Sequence, residues 1–377
     1  MPSMPLTPPR FCDQIQPQVL TIHPYVPGKP VSDLKRALGL TRISKLASNE
    51  NPLGASPLVT SFLTAELAEI ARYPDGSAYL LKEQLSSYLN VDSHQIAVGN
   101  GSNELLEIVA RVFAGPGDEV VYSQYGFAIY SLSAQVVGAT GVEVPAKNWG
   151  HDLPAMLAAI TDRTKLVYIA NPNNPTGTVF GKTQWEHFMS KVPKQVVVVL
   201  DEAYLEYCEN EDYPNGLEYL HRYPNLLVSR TFSKAYGLAA LRIGYMVGGE
   251  EIVNYINQIR APFNVNHYAQ VAATAAIKDQ AFVAQVVALN KAGMRQILSA
   301  FNGFNINCIP SSGNFIAAHF GTQAAVINQK LLEKGVIVRP LNGYCMSEFL
   351  RVSIGTMDEN QHFIDALGET LKALEVD

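Results

Sequence analysis

A chain of 377 residues with 47% hydrophobic and 16% charged residues has an ordinary globular composition and is long enough for two domains. Its net charge of -6 provides no basic surface for nucleic acid, and no run approaches the roughly 18 apolar residues of a membrane span. Four scattered cysteines form no CxxC pair and eight histidines form no HExxH or Cys/His cluster, so no metal is expected and a reducing cytoplasm is.

The N-terminal MPSMPLTPPRFCDQIQPQ lacks the basic-then-apolar order of a signal peptide, and its prolines predict an extended arm. From about residue 56 apolar strands alternate with helical patterns. The strands are QIAVGN (95–100), EVVYS (119–123), KLVYIA (165–170), VVVVL (196–200) and LLVSR (226–230). Each is apolar enough to be buried on both faces, as in a parallel sheet covered by helices such as SNELLEIVARVFA (102–114) and one beginning LPAMLAAI (153–160). The pattern changes near APFNVN (261–266). A long helical stretch follows, then short strands around FNINCI, NFIAAHF, VIVRP and FLRVSI, with a helix between the second and third. The expected organisation is an α/β domain at 46–265 and a smaller α+β domain at 266–377, with residues 1–45 forming an arm and part of the smaller domain.

In an open α/β sheet ligands bind beyond the carboxyl ends of the strands, and four segments fall there. VGNGSNELL turns from strand to helix on small residues, which suits either an anion on the helix N-terminus or a plain glycine turn capped by Ser102 or Asn103. It mimics the start of GxGxxG, but position 104 is Glu. NPNNPTGTVF (171–180) has two Asn-Pro steps and a Pro-Thr-Gly turn, a restricted loop able to aim Asn174 at a ligand. VVVVLDEAYLEY ends a buried strand on Asp201, with Tyr204 three residues on. A carboxylate there needs a cation, a metal or a capping role, and no GxxxxGK[ST] exists to make it a magnesium ligand of a P-loop. TFSKAYGLAALRIGY places Thr231 and Ser233 beside Lys234, with Arg242 eight positions later. Hydroxyls and a guanidinium suit a phosphate, an amine suits an aldehyde, and a carboxylate suits a pyridinium. Pyridoxal 5'-phosphate (PLP) answers all four segments.

NPNNPTG, DEAY and TFSK with its distant arginine, in that order, resemble the fold-type I PLP-dependent aminotransferases, and FLRVSIGT falls where that superfamily places a carboxylate-binding arginine. HPYVPGKP (23–30), KLASNENPLGASP (45–57) and RYPDG (72–76) are similar to the histidinol-phosphate aminotransferase family in particular. The resemblance runs from about residue 20 to the end. It implies a large domain with a mostly parallel seven-stranded sheet covered by helices, plus the smaller α+β domain. It also implies roles. Lys234 forms the Schiff base and shuttles the proton; Asp201 pairs with the pyridinium; Asn174 and Tyr204 bind the phenolic oxygen. Ser102, Asn103, Ser233 and Arg242, with Thr231, hold the phosphate, and Tyr125 stacks on the ring. In a homodimer Tyr73 reaches the neighbouring subunit's cofactor phosphate. Arg351 takes the glutamate α-carboxylate, while Tyr25, Asn49 and Arg339 line the substrate pocket. The implied substrates are histidinol phosphate and glutamate/2-oxoglutarate. An aromatic-amino-acid aminotransferase and a phosphothreonine decarboxylase of the same fold are the alternatives. One departure bears on substrate: Ala235-Tyr236 follows the lysine where many members of that family carry histidine.

Overall fold

The structure is a computed structural model and describes residues 15–22 and 31–376. Its strands are β1 (Ser44–Lys45), β2 (Ile96–Gly99), β3 (Glu119–Ser123), β4 (Thr140–Val144), β5 (Thr164–Ala170), β6 (Val197–Asp201), β7 (Leu226–Thr231), β8 (Gly244–Gly248), β9 (Phe315–His319), β10 (Val336–Ile337), β11 (Arg339–Leu341) and β12 (Met346–Ser353). Seven of them form one sheet in the order β2-β8-β7-β6-β5-β3-β4. All run parallel except β8, which is antiparallel to both neighbours.

Alternation along β6 shows why this sheet is covered on both sides. Val197 and Val199 enter one apolar cluster with Leu105, Val109, Val253 and Ile256 from helices Ser102–Phe113 and Glu250–Ile259. Val198 and Leu200 enter another with Met156, Trp185 and Phe188 from helices Leu153–Ala158 and Lys182–Lys191. A strand buried on both faces has no polar side to show, so it reads as a continuous apolar run. Its polar residue, Asp201, comes at the carboxyl end.

The second sheet, β11-β12-β9, is antiparallel and packs on helices Gln280–Gly303, Ala324–Glu333 and Met357–Val376 through Ile297, Leu331, Leu350 and Phe363. The N-terminal segment joins this unit: β1 pairs in parallel with β10, and Leu46 enters the same core. Helix His267–Lys278 instead buries Ala269, Ala272, Ala273 and Ala276 against Ile96 and Tyr245 of the seven-stranded sheet.

Several expectations need correction. The long helical stretch is two helices bent by 80° at Asp279, whose side chain accepts from Phe282 N and so starts the second helix. FNINCI forms only the isolated bridge between Cys308 and Ala318. In VIVRP the strand breaks at Val338 into β10 and β11. Pro17–Thr21 is a single 3-10 turn and not extended chain; the arm before it, residues 1–14, lies outside the described residues. β4 and β8 were not anticipated from their residues. No single described helix is long and apolar enough to cross a membrane.

Candidate active site

The carboxyl ends of β2, β5, β6 and β7 converge with the start of β8, because the antiparallel strand enters the sheet where its neighbours leave it. Gly244 of β8 pairs with both Gly99 and Thr231. A side chain at Gly244 would lie 2.5 Å from Ser102 N and 3.0 Å from Arg230 O, so only glycine allows three segments this close. Beyond them lies a cavity of ≈ 180 Å³, lined by Ser102, Asn103, Asn174, Asp201, Tyr204, Thr231, Ser233, Lys234 and Arg242 from the larger unit. Asn49, Arg339 and Arg351 close it from the other side.

At its anionic-ligand end, Gly101 has φ +83°, and its missing side chain leaves room for the Arg242 guanidinium, whose Nη2 would be 2.4 Å from a Cβ there. Arg242 Nη1 donates to Ser233 Oγ at 3.4 Å, and helix Ser102–Phe113 presents its N-terminus. Hydroxyls, a guanidinium and a helix N-terminus are the donor set for a phosphate. Glu104, the departure from GxGxxG, accepts from the Asn100 backbone N–H and from Asn264 Nδ2, so it closes the loop on itself. Thr231 Oγ1 accepts from Ser233 N, which commits it to shaping the turn.

Lys234 is half-buried beside the ring of Tyr204, with Nζ 5.6 Å from the ring centroid, and donates to Ser48 O at 3.2 Å. Burial, then the charge of Arg351, holds the amine down to about 8, against opposing attraction from Glu50. Asp201 is buried, and burial pushes its carboxyl up to about 6. Its Oδ2 accepts from Tyr130 Oη at 2.8 Å. Its Oδ1 is buried with no hydrogen-bond partner among the described residues. A buried carboxylate oxygen left unpaired is costly, and a cationic N–H at that position would satisfy it.

On the remaining wall, Asn49 adopts φ 54° and donates through Nδ2 to Tyr204 Oη at 3.0 Å, while Ser353 Oγ donates to its Oδ1 at 2.7 Å. Arg351 donates to Asn174 Oδ1 and, at 2.8 Å, to Ala47 O. Arg339 and Arg351 are direct partners across β11 and β12, so both project from one face of that sheet into the cavity.

Three expected site residues are not gathered here. Tyr125 is absent from the cavity lining; its ring lies 5.4 Å from Trp149 and its carbonyl accepts from Asn173 Nδ2, whereas Phe127 does line the cavity. Tyr73, expected at a neighbouring subunit's site and not at this one, is 83% exposed and stacked on Phe263 at 4.8 Å. Tyr25 lies outside the described residues. Sequence reasoning missed Tyr130, which looks like a core aromatic of helix Ile129–Val136, and Tyr344 and the Ser48 carbonyl, which carry no motif.

The amine, the unpaired carboxylate oxygen and the phosphate donors together fit pyridoxal phosphate. The aminotransferase class I and II family matches residues 41–367, and the chain belongs to that family. It is 60% identical to Histidinol-phosphate aminotransferase 2 of Hydrogenovibrio crunogenus, over 96% of this chain and 97% of that protein. Histidinol-phosphate aminotransferase 2 of Pseudomonas aeruginosa is 53% identical over 96% and 98%. The crystal structure of histidinol-phosphate aminotransferase from Sinorhizobium meliloti in complex with pyridoxal-5'-phosphate is similar with a TM-score of 0.88 at 29% identity, covering 96% of this chain and 98% of that one.

Proposed function

We propose that this aminotransferase interconverts histidinol phosphate plus 2-oxoglutarate and imidazole acetol phosphate plus glutamate, in histidine synthesis. The observation that carries the chemistry is one cavity holding a half-buried amine, a buried carboxylate with an unpaired oxygen, and a donor set suited to a phosphate. The names of the relatives at 60% and 53% identity support the substrate. So does the cross-strand pair Arg339 and Arg351, since every proposed substrate carries a carboxylate or a phosphate.

When bound, pyridoxal phosphate supplies an aldehyde for amines and a ring that accepts electrons from the substrate Cα. The protein supplies the rest. Asp201, through its unpaired Oδ1, would favour the protonated form of the ring nitrogen. Ser102, Asn103, Ser233 and Arg242 hold the phosphate and so fix the reach to Lys234. Asn174 and Tyr204 bind the phenolic oxygen. Lys234, neutral near its lowered pKa, would take and return the proton at the substrate Cα. Arg351 orients the glutamate α-carboxylate, and Arg339 and Asn49 line the substrate side. Transfer is ping-pong: glutamate leaves as 2-oxoglutarate before imidazole acetol phosphate enters.

A homodimer belongs to the same proposal, with Tyr73 reaching the partner's cofactor phosphate. The support is the exposure of large apolar side chains at Ile70 (76%), Tyr73 (83%) and Leu80 (73%). A cytoplasmic setting fits Cys208, Cys308 and Cys345, all free thiols.

The test mixes the PLP-loaded protein with histidinol phosphate, phenylalanine or phosphothreonine and follows loss of the lysine-bound cofactor's visible absorbance. Histidinol phosphate should react fastest, and Lys234→Ala should abolish both band and turnover. A faster reaction with phenylalanine would reassign the substrate.

A further inference from the structure

Tyr130 is 1% exposed, and its ring lies flat on Tyr168, with centroids 4.9 Å apart and planes at 9°. Phe127 meets it edge-on at 6.1 Å. A phenylalanine would fill this stack equally well, so packing does not account for the hydroxyl. That hydroxyl donates to Asp201 Oδ2 at 2.8 Å, and among the described residues it is the side chain hydrogen-bonded to that carboxylate. Tyr168, its stacking partner, spends its own hydroxyl on the Leu106 carbonyl at 2.6 Å, away from Asp201.

A carboxylate rotates about its Cβ–Cγ bond unless one oxygen is held. We propose that Tyr130 is a positioning residue for the transamination: its hydroxyl fixes Asp201 Oδ2 and leaves Oδ1 as the oxygen that meets the cofactor ring nitrogen. The inference rests on the reading that Asp201 pairs with that nitrogen. It explains why one oxygen of a buried carboxylate is partnered and the other is not.

The same hydrogen bond acts on charge. Burial and Glu202 favour the neutral acid at Asp201, while Tyr130, the Ala203 backbone N–H and Lys234 favour the anion. Tyr168 and Tyr204 are the other titratable groups that face Tyr130. Removing its hydroxyl deletes one of the anion's supports and raises the carboxyl further. The folded-state shift is upward, so the anion is depleted at low pH and recovers as pH rises.

The experiment compares Tyr130→Phe with wild type, with Tyr168→Phe and with Asp201→Asn. Three readouts are taken: the PLP dissociation constant of the apoprotein, the pH profile of the bound cofactor's absorbance, and kcat and KM for glutamate. Tyr130→Phe should weaken PLP by about two- to tenfold, the cost of fixing a carboxylate that is free to rotate before the ring binds. It should lower kcat with KM changed less than about twofold. The weakening of PLP binding to the apoprotein should be larger at pH 6 than at pH 8.5, because the apoprotein's carboxyl must ionise to receive the ring. Tyr168→Phe loses a hydroxyl from the same stack and should leave PLP affinity and the pH profile unchanged, which separates positioning from packing. If Tyr130→Phe matches wild type in affinity and pH profile while Asp201→Asn loses both, Tyr130 has no positioning role. If Asp201→Asn also matches wild type, the ring-nitrogen reading fails and takes this inference with it.

Discussion

The amine of Lys234 is the group whose protonation the cavity controls most directly, and its pH response can be calculated. At the ordinary lysine value of 10.5, roughly 0.03% of the amine is neutral at pH 7; at about 8, roughly a tenth is. Imine formation needs the neutral amine, so the cavity should speed it by about 300-fold over an unperturbed lysine at that pH. The assay mixes apoprotein with PLP between pH 7 and 9.5 and records the growth of visible absorbance. The rate should climb about tenfold from pH 7 and level off beyond 8. Arg351→Met removes the second-largest depressing influence after burial, so its midpoint should move upward while the plateau rate stays similar. A wild-type rate still rising tenfold per pH unit at 9.5 would mean the lysine is not held down, and the account of its burial would be wrong. An unmoved midpoint in Arg351→Met would remove that arginine from the explanation and leave desolvation alone.

Gly101→Ala should weaken PLP about tenfold or more, measured by titration of the apoprotein, because the new Cβ meets Arg242 Nη2 at 2.4 Å on a backbone at φ +83°. Arg230→Met leaves the buried Glu202 carboxylate without the two donors, Arg230 Nε and Nη2, that reach its Oε2 at 2.9 and 2.7 Å. The expected loss is about 3–5 kcal/mol in urea unfolding, and a loss under about 1 kcal/mol would contradict it. Asp279→Ala removes the cap that starts helix Gln280–Gly303 and the acceptor for Ser56 Oγ, for about 1 kcal/mol by the same assay.

The sequence was most informative where one physical requirement dominated the choice of residues. β5 and β6 are buried on both faces and therefore written in valine, leucine and isoleucine, so they were found within a residue of their ends. β8 was missed because GYMVG holds glycine at both ends, where close neighbours, the backbone at Ser102 for Gly244 and the Leu227 side chain for Gly248, outweigh strand propensity. β4, TGVEV, is the exposed edge of its sheet and has little apolar pattern to read. The break at Asp279 was hidden because apolar periodicity continues across it; only a capping hydrogen bond marks the turn. At the site the same rule holds. Lys234, Asp201 and Arg242 are charged residues among apolar ones and announce themselves. Tyr130 does not, because a buried tyrosine in a helix is ordinary until its acceptor is seen. Tyr125 was expected on the cofactor from resemblance, and the structure turns its ring toward Trp149.

The lone antiparallel strand has a consequence for how the site comes into being. Pairing β2 with β8 closes a loop of about 150 residues, and the entropy of closing it must be met before Gly101, Ser102 and Arg242 can meet in the proposed phosphate cradle. The cradle therefore has no local precursor in the unfolded chain. A fragment ending before residue 226 would keep Asn174 and Asp201 but have no place for the phosphate, so the cofactor recognises only a chain whose central sheet is finished and stabilises that state by mass action.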